Sequence, residues 1–227
     1  MLVGLFLLTL AQPPQVRDVL VAPGETVRVT IVGVGRPVVL VPGLLGSAFA
    51  FRRIIPPLDS AGLRVIVIEP LGIGNSSRPK GGDYSLTAQA GRVAAVLDTL
   101  GVREAIVLGH SVSTSTALRL ALLRPDLVSA IIADNGGPEE AAATSGVKRT
   151  AKFAILLRIF GGRSLMRSEL HKGLRLTAGN PEWITREVVD CYGEGAEREP
   201  GAVLDALQGM ARARDEPLAP RLGTIGV

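Results

Sequence analysis

Residues 105–113 read AIVLGHSVS, and the fold follows from how this stretch changes character. It begins as an apolar run of strand character and ends in small residues, with Gly109 two positions before Ser111 and Ser113 two positions after it. An amphipathic helical pattern then begins at once and continues to Leu122. The pattern predicts a sharp strand-to-helix turn with Ser111 at its apex.

Such a turn is a good position for a nucleophile. It holds the serine hydroxyl above the end of a sheet and at a helix N-terminus, where unpaired backbone N–H groups and the helix dipole favour negative charge. The flanking residues must be small because strand and helix nearly touch. Ser111 is therefore our candidate nucleophile, and the rest of the chain must supply its activation.

The composition indicates one globular domain with room for a large insertion. The chain has 227 residues, of which 47% are apolar and 20% charged, which excludes a disordered chain. One cysteine, Cys191, excludes an internal disulfide framework, and two histidines make a Cys/His zinc site improbable. The net charge of +4 permits an acidic partner, but 4% aromatic residues are too few for base stacking, so we expect no nucleic-acid binding.

The N-terminus, residues 1–12, begins with MLVGLFLLTL. This apolar run is too short to span a bilayer, and it resembles the apolar region of a signal peptide, although no Lys or Arg precedes it. Two interpretations stay open. We favour export to the periplasm or outside the cell, and the alternative is an ordinary apolar N-terminus on a cytoplasmic protein.

Strand and helix patterns alternate regularly through the first part of the chain. A hairpin is predicted over 16–32, buried strands over 37–41, 63–68 and 127–133, and helices over 49–61 and 85–100. This alternation predicts an α/β fold with a mostly parallel sheet covered by helices, whose ligands bind at the carboxyl ends of the strands. The loops at those ends read PGLLGS, EPLGIGNSS, GHSVS and DNGGP, and we expect them to converge on one crevice.

After Pro138 the pattern becomes helical. Helices are predicted over 151–160, 164–176, 182–191 and 202–213, with no strand between them. We interpret this part as a helical cap over the sheet. Residues 217–227 then indicate an approach to a further strand.

A basic stretch, residues 147–176, lies within the predicted cap. It has a single acid, Glu169, among many lysines and arginines. An apolar stripe at helical spacing runs through it, formed by Phe153, Leu156, Leu157 and Phe160. We favour a stripe that covers the crevice beneath solvated charges. The alternative is weak association with an anionic membrane surface.

Four segments in order resemble the α/β-hydrolase fold family, from about Val16 to Val227. GHSVS resembles the nucleophile elbow G-x-S-x-G, with Ser113 in place of the second glycine. PGLLGS resembles the loop after the third strand, with Pro42 where many members have His. EPLGIGNSSRP resembles the D-x-x-G-x-G-x-S loop with Glu69 at the Asp position, and LRPDLVSAIIADNGGP resembles the strand leading into the cap.

The resemblance implies a division of the chain and a chemistry. Residues 13–137 would form the hydrolase core, 138–216 the cap and 217–227 an incomplete return to the core. Ser111 would attack an acyl carbon, and the backbone N–H groups of Leu44 and Val112 would form the oxyanion hole. The implied substrate is a small, largely apolar carboxylic ester, with no cofactor or metal.

The resemblance leaves other functions open. A serine in the elbow disfavours relatives with an aspartate nucleophile, such as epoxide hydrolases and haloalkane dehalogenases. It does not separate esterases from C–C bond, thioester, lactone or perhydrolase-like enzymes. A non-catalytic protein that binds a small apolar ligand in the crevice is the alternative from another class. The sequence does not indicate an oligomeric state.

The family's triad follows the order Ser, acid, His, and the partners of Ser111 are not evident in the sequence. We expect His171 to be a cap surface residue and the His110 side chain to point away from that of Ser111. Asp134 is a possible acid at a strand end, although we favour a non-catalytic role. We expect the chain to be truncated, with the acid and histidine beyond Val227, and the alternative is a shortened, inactive protein.

Overall fold

A six-stranded sheet organises the fold. The computed structural model describes residues 13–44, 46–139, 142, 148 and 163–227. The strands are β1 (Gln15–Ala22), β2 (Glu25–Val32), β3 (Arg36–Val41), β4 (Leu63–Ile68), β5 (Ala105–His110) and β6 (Val128–Asp134). The helices are α1 (Ile55–Ser60), α2 (Leu86–Thr99), α3 (Ser113–Leu123), α4 (Arg163–Thr177), α5 (Arg186–Arg198) and α6 (Pro200–Arg212).

The strand order is β1-β2-β4-β3-β5-β6. The hairpin β1–β2 is antiparallel and joins β4 in antiparallel register, whereas β4, β3, β5 and β6 are mutually parallel. The predicted mostly parallel sheet is therefore confirmed. The four parallel strands end at the same edge, and the loops that follow them begin there.

Alternate side chains of the strands serve two separate cores, as the two-residue period of a strand requires. On one face Val39, Ile66 and Val107 are fully buried beneath α2 and α3. On the other face Leu40 and Val67 pack with Phe51 and the partly buried residues of α1. Burial on both faces explains why these strands are continuous apolar runs.

The helices of the core differ from the predictions in one place. The helix after Ser85 is confirmed, with Ser85 Oγ accepting a hydrogen bond from the Ala88 N–H at 3.1 Å. The single helix predicted over 49–61 was wrong, because a 3-10 helix at Ala48–Phe51 precedes a separate α1. Pro56 and Pro57 lack N–H donors, so a helix can begin at them but cannot run through them.

Helices α4 and α6 lie close to their predicted positions. The prediction over 182–191 began too early, since α5 begins at Arg186 with Thr185 as its N-cap and continues to Arg198. The helix predicted over 151–160 and the stripe Phe153, Leu156, Leu157 and Phe160 lie outside the described residues.

The C-terminal segment differs from the prediction. Residues Ala219–Thr224 form a 3-10 helix in place of the predicted approach to a strand, and Pro220 lies at its start. No helix in the described part of the chain has the length and apolar character needed to cross a membrane.

Candidate active site

Ser111 occupies a strained turn between β5 and α3. Its φ is +55°, in the left-handed region that costs a residue with a β-carbon about 1–2 kcal/mol. Two backbone hydrogen bonds hold this conformation, from the Ser111 N–H to the Asp134 carbonyl at 2.9 Å and from the Thr114 N–H to the Ser111 carbonyl at 3.0 Å. The predicted strand-to-helix turn is thus present with Ser111 at its apex.

The turn is closely packed against its neighbours. A β-carbon at Gly109 would lie 2.7 Å from Thr114 Cα and closer still to the carbonyl of Ser113. A β-carbon at Gly136, in the loop after β6, would overlap the carbonyl of Ser111. Only glycine fits at these two positions, and the close approach explains the small residue before Ser111.

Ser113 has a role that sequence reasoning missed. It is buried, and its hydroxyl donates a 2.7 Å hydrogen bond to the carbonyl of Pro42. This bond fastens the loop of residues 42–47 to the first turn of α3. The departure from glycine in the elbow pattern therefore joins the two segments that carry the candidate site, although nothing in the sequence indicated the partner.

Loop 42–47 touches the serine side chain. A β-carbon at Gly43 would lie 3.0 Å from Ser111 Cβ and 3.0 Å from the carbonyl oxygen of His110. Leu44 follows directly, and with Val112 it packs against one apolar cluster. Within the described structure the N–H groups of Leu44 and Val112 donate to no acceptor. Two unused donors are therefore carried by the segments that flank Ser111.

Glu69 connects this loop to the next one. It is 2% exposed, and its Oε1 accepts a hydrogen bond from the Ala48 N–H at 2.9 Å. Its Oε2 accepts from the Asn75 N–H at 2.5 Å and from Asn75 Nδ2 at 3.3 Å. Burial raises the pKa of the Glu69 carboxyl, and the hydrogen bonds from Asn75 and Ala48 oppose that rise. Gly74 has φ of +57°, and a β-carbon there would overlap Glu69 Oε2.

The loops at the strand ends enclose two clefts that share Leu44 and Ile73. The first, of about 450 Å³, is open to solvent and lies between these loops and helices α5 and α6. The second, of about 330 Å³, lies beside Val112. The loops PGLLGS, EPLGIGNSS and GHSVS line these clefts, and DNGGP contacts Ser111 through Gly136. The structure thus brings the four predicted loops together.

In the described structure the side chains of the candidate acid and histidines form no hydrogen bond with the Ser111 hydroxyl. Asp134 Oδ2 lies 2.9 Å from His110 Nδ1, and both side chains are partly exposed. The His110 ring packs against loop 42–47, with its Cδ2 3.2 Å from the β-carbon position of Gly43. His171 lies on α4, which packs against α5. No described residue forms a hydrogen bond with the Ser111 hydroxyl.

Comparison with known proteins assigns the family. The model of the α/β hydrolase fold matches residues 36–156, a range that contains loop 42–47, Glu69 and Ser111. The chain belongs to the α/β-hydrolase fold family. Within this family it is similar to YugF, an uncharacterized hydrolase of Bacillus subtilis, at 27% identity over 190 residues. That match covers 80% of this chain and 65% of YugF.

Other members of the family show a similar sequence or fold. Epoxide hydrolase B of Mycobacterium tuberculosis is 35% identical over 99 residues, which are 43% of this chain and 28% of the relative. An esterase from Exiguobacterium antarcticum superposes with a TM-score of 0.74 at 20% identity, covering 92% of this chain and 77% of the esterase. The chain therefore spans less than two thirds of the length of the two curated relatives.

Proposed function

We propose that this α/β-fold hydrolase cleaves small carboxylic esters through an acyl-enzyme on Ser111. The observation that supports the proposal is the Ser111 turn, whose φ of +55° sets a serine at the junction of β5 and α3. In the described structure Val112 and Leu44, in segments that adjoin this turn, have N–H groups that donate to no acceptor. A similar fold in a protein named as an esterase agrees with this choice. Activity of the whole protein also depends on a general base for Ser111, and no described residue accepts a hydrogen bond from its hydroxyl.

In the proposed reaction the Ser111 Oγ attacks the ester carbonyl as its proton passes to a general base. The carbonyl oxygen gains negative charge, which the N–H groups of Leu44 and Val112 stabilise. Collapse of the tetrahedral intermediate expels the alcohol and leaves an acyl ester on Ser111. Water then attacks that ester by the same route and releases the acid. Loss of one oxyanion donor costs about 10²–10³ in rate in serine hydrolases.

Among the relatives, those named epoxide hydrolases share 31–35% identity with this chain over 99–118 residues. Their resemblance raises epoxide opening as a second reaction. We favour acyl transfer because a serine hydroxyl at such a turn suits attack on a carbonyl carbon, and the proposed donors of Leu44 and Val112 would stabilise the resulting oxyanion. Hydrolysis of thioesters, lactones or C–C bonds stays an alternative, because a serine in the elbow does not separate these classes.

The helical segment of residues 163–212 supports the proposed cap. Phe49, just after loop 42–47, stacks edge-to-face on Tyr192 of α5 with the ring centroids 5.5 Å apart. Gly195 of α5 lies so close to the carbonyl of Gly74 that a β-carbon there would overlap it. The helices thus rest on the strand-end loops, where a cap would select the substrate.

Labelling with a fluorophosphonate probe tests the proposal. We expect wild-type protein to react covalently and Ser111→Ala to remain unlabelled. Ser168→Ala, at an exposed position on α4, is the matched control and should label like the wild type. A folded wild-type protein that does not react would favour the alternative of a non-catalytic protein that binds a small apolar ligand.

A further inference from the structure

Arg78 is a buried cation with unused hydrogen-bond donors. Its side chain is 6% exposed. Nη2 donates to the carbonyl of Gly74, and Nη1 lies 3.8 Å from Glu199 Oε2, beyond hydrogen-bond distance. The Nε–H is buried and has no acceptor among the described residues. A guanidinium in this position is only partly compensated.

The charged and polar groups near Arg78 do not satisfy all of the hydrogen-bond donors of its guanidinium. The carboxyl of Glu69 is already bound by Ala48 and Asn75. Burial raises the pKa of Tyr84 to about 12, so its hydroxyl is neutral at pH 7 and donates to the Pro79 carbonyl at 2.9 Å. Glu199 is 62% exposed and therefore well hydrated. Arg198, another nearby cation, pairs with Glu194.

Burial lowers the pKa of Arg78, but a guanidinium stays protonated in proteins. A buried charge with only a long, exposed ion-pair partner is costly, so a carboxylate that arrives with a ligand would gain more here than at a hydrated surface arginine. The planar guanidinium also suits a carboxylate because it can offer two parallel N–H donors.

The position of Arg78 relates it to the candidate reaction site. It lines the 450 Å³ cleft together with Leu44, Ser47 and Asn75. Leu44 carries one of the two proposed oxyanion donors and also lines the neighbouring cleft beside Val112. A ligand in this cleft would contact both Leu44 and Arg78, and the placement of its ester at Ser111 follows from the proposed role of the Leu44 N–H.

We propose that Arg78 forms a carboxylate-binding subsite, so that the preferred substrate carries a free carboxylate in addition to the ester, as a monoester of a dicarboxylic acid does. The placement of the ester rests on the proposed function. The anion site itself does not depend on catalysis. With this subsite, the preferred substrate has a charged end, whereas the sequence alone implies a largely apolar substrate.

Calorimetric titration of the Ser111→Ala protein with two probes tests the subsite without turnover. Monomethyl glutarate carries one ester and one carboxylate, and dimethyl glutarate is its neutral counterpart of similar shape. We expect the monoanion to bind about tenfold tighter than the diester.

Substitutions of Arg78 test whether this residue causes the preference. Arg78→Met should reduce the ratio of the two affinities to about one, while the affinity for the diester stays within about twofold. Arg78→Lys should keep part of the preference. Equal affinity for the two probes, no binding of the monoanion, or a preference that survives Arg78→Met in folded protein would overturn the subsite.

Glu199→Gln provides a second test if the Arg78 variants do not fold, because Glu199 is exposed. Removing its carboxylate should raise monoanion affinity by about two- to threefold and leave the diester unchanged. A monoanion affinity that falls or stays constant would contradict the proposal. Fluorophosphonate labelling of the wild type reports separately on Ser111. Labelling without anion preference rejects the subsite alone, and anion preference without labelling rejects the proposed ester hydrolysis alone.

Discussion

His110 Nδ1 and Asp134 Oδ2 lie 2.9 Å apart at the ends of two adjacent parallel strands. The contact has the form that a catalytic histidine makes with its orienting acid. It differs from a triad because no hydrogen bond links the Ser111 hydroxyl to the imidazole. Since the His110 ring packs against loop 42–47, the pair supports the loop that carries Leu44.

The side-chain contact between His110 and Asp134 should contribute little to the reactivity of Ser111 or to stability. We expect Asp134→Asn to change the rate of fluorophosphonate labelling by less than about threefold and the free energy of unfolding by less than about 1 kcal/mol, because both side chains are partly exposed. Labelling kinetics and urea denaturation measure the two effects. A loss of about 10²-fold or more in labelling rate would instead identify His110 and Asp134 as a catalytic pair.

Glu69 should give the protein a specific dependence of stability on pH. Burial raises its pKa above the ordinary 4.5, so the folded state binds this proton more tightly than the unfolded chain does. The stabilisation that this proton provides is therefore fully present below pH 4.5 and is lost as the pH rises through the folded-state pKa. The unfolding free energy of wild type minus that of Glu69→Gln should fall over this window, measured by urea titration. A difference that rises with pH would show the opposite shift.

Two glycine substitutions should have opposite effects. Gly109→Ala places a β-carbon against the backbone of Ser113 and Thr114, and we expect a loss of about 3 kcal/mol or more together with loss of Ser111 labelling. Gly91→Ala, on the open face of α2, should stabilise the protein by about 0.5–1 kcal/mol without affecting labelling. Thermal and urea unfolding of both variants provide the comparison. Equal effects on stability would contradict the packing at Gly109.

Asp215 should be a major source of stability. Its fully buried carboxylate accepts hydrogen bonds from the N–H groups of Leu86 and Thr87 at 3.0 and 2.8 Å and from the Thr87 hydroxyl at 3.0 Å. Arg119 Nε lies 3.9 Å from the same carboxylate. We expect Asp215→Ala to cost about 3–5 kcal/mol, because it leaves these buried donors without their acceptor and removes an ion-pair partner of Arg119.

The control for Asp215 is Asp18→Ala, which breaks the half-exposed ion pair with Arg28 and should cost less than about 1 kcal/mol. Urea denaturation distinguishes the two. If the variants lose similar stability, the carboxylate of Asp215 does not anchor the start of α2 to the chain that follows α6.

The strands of the sheet could be predicted from the sequence, because the patterns that indicate them lie within a few neighbouring residues. Continuous apolar runs such as Val38–Val41 suit burial on both faces, and Ser85 lies where a helix N-cap is required. The small residue at Gly109 likewise follows from the steric demand of the turn. Helix boundaries near prolines were less predictable, since Pro56 and Pro57 can begin a helix as well as end one.

Contacts between distant segments could not be predicted from the sequence. The bond from Ser113 to Pro42 joins residues 71 positions apart, and the bonds from Thr87 to Asp215 span 128 positions. Their partners depend on the register of the whole sheet and not on any neighbouring pattern. The Arg78 site has the same origin, because the cleft that Arg78 lines is formed by the loop after β4 together with residues of helices α5 and α6. Side-chain types were visible in the sequence, but their environment was not.

The left-handed backbone at Ser111 has an evolutionary consequence. Glycine adopts this conformation without the steric penalty, so Ser111→Gly is expected to relieve about 1 kcal/mol of strain in the folded protein. Selection for thermal stability alone would favour glycine at this position, whereas selection for a reactive hydroxyl opposes it. A laboratory evolution experiment that rewards only heat resistance should therefore drive this residue away from serine, and one that rewards turnover should retain it.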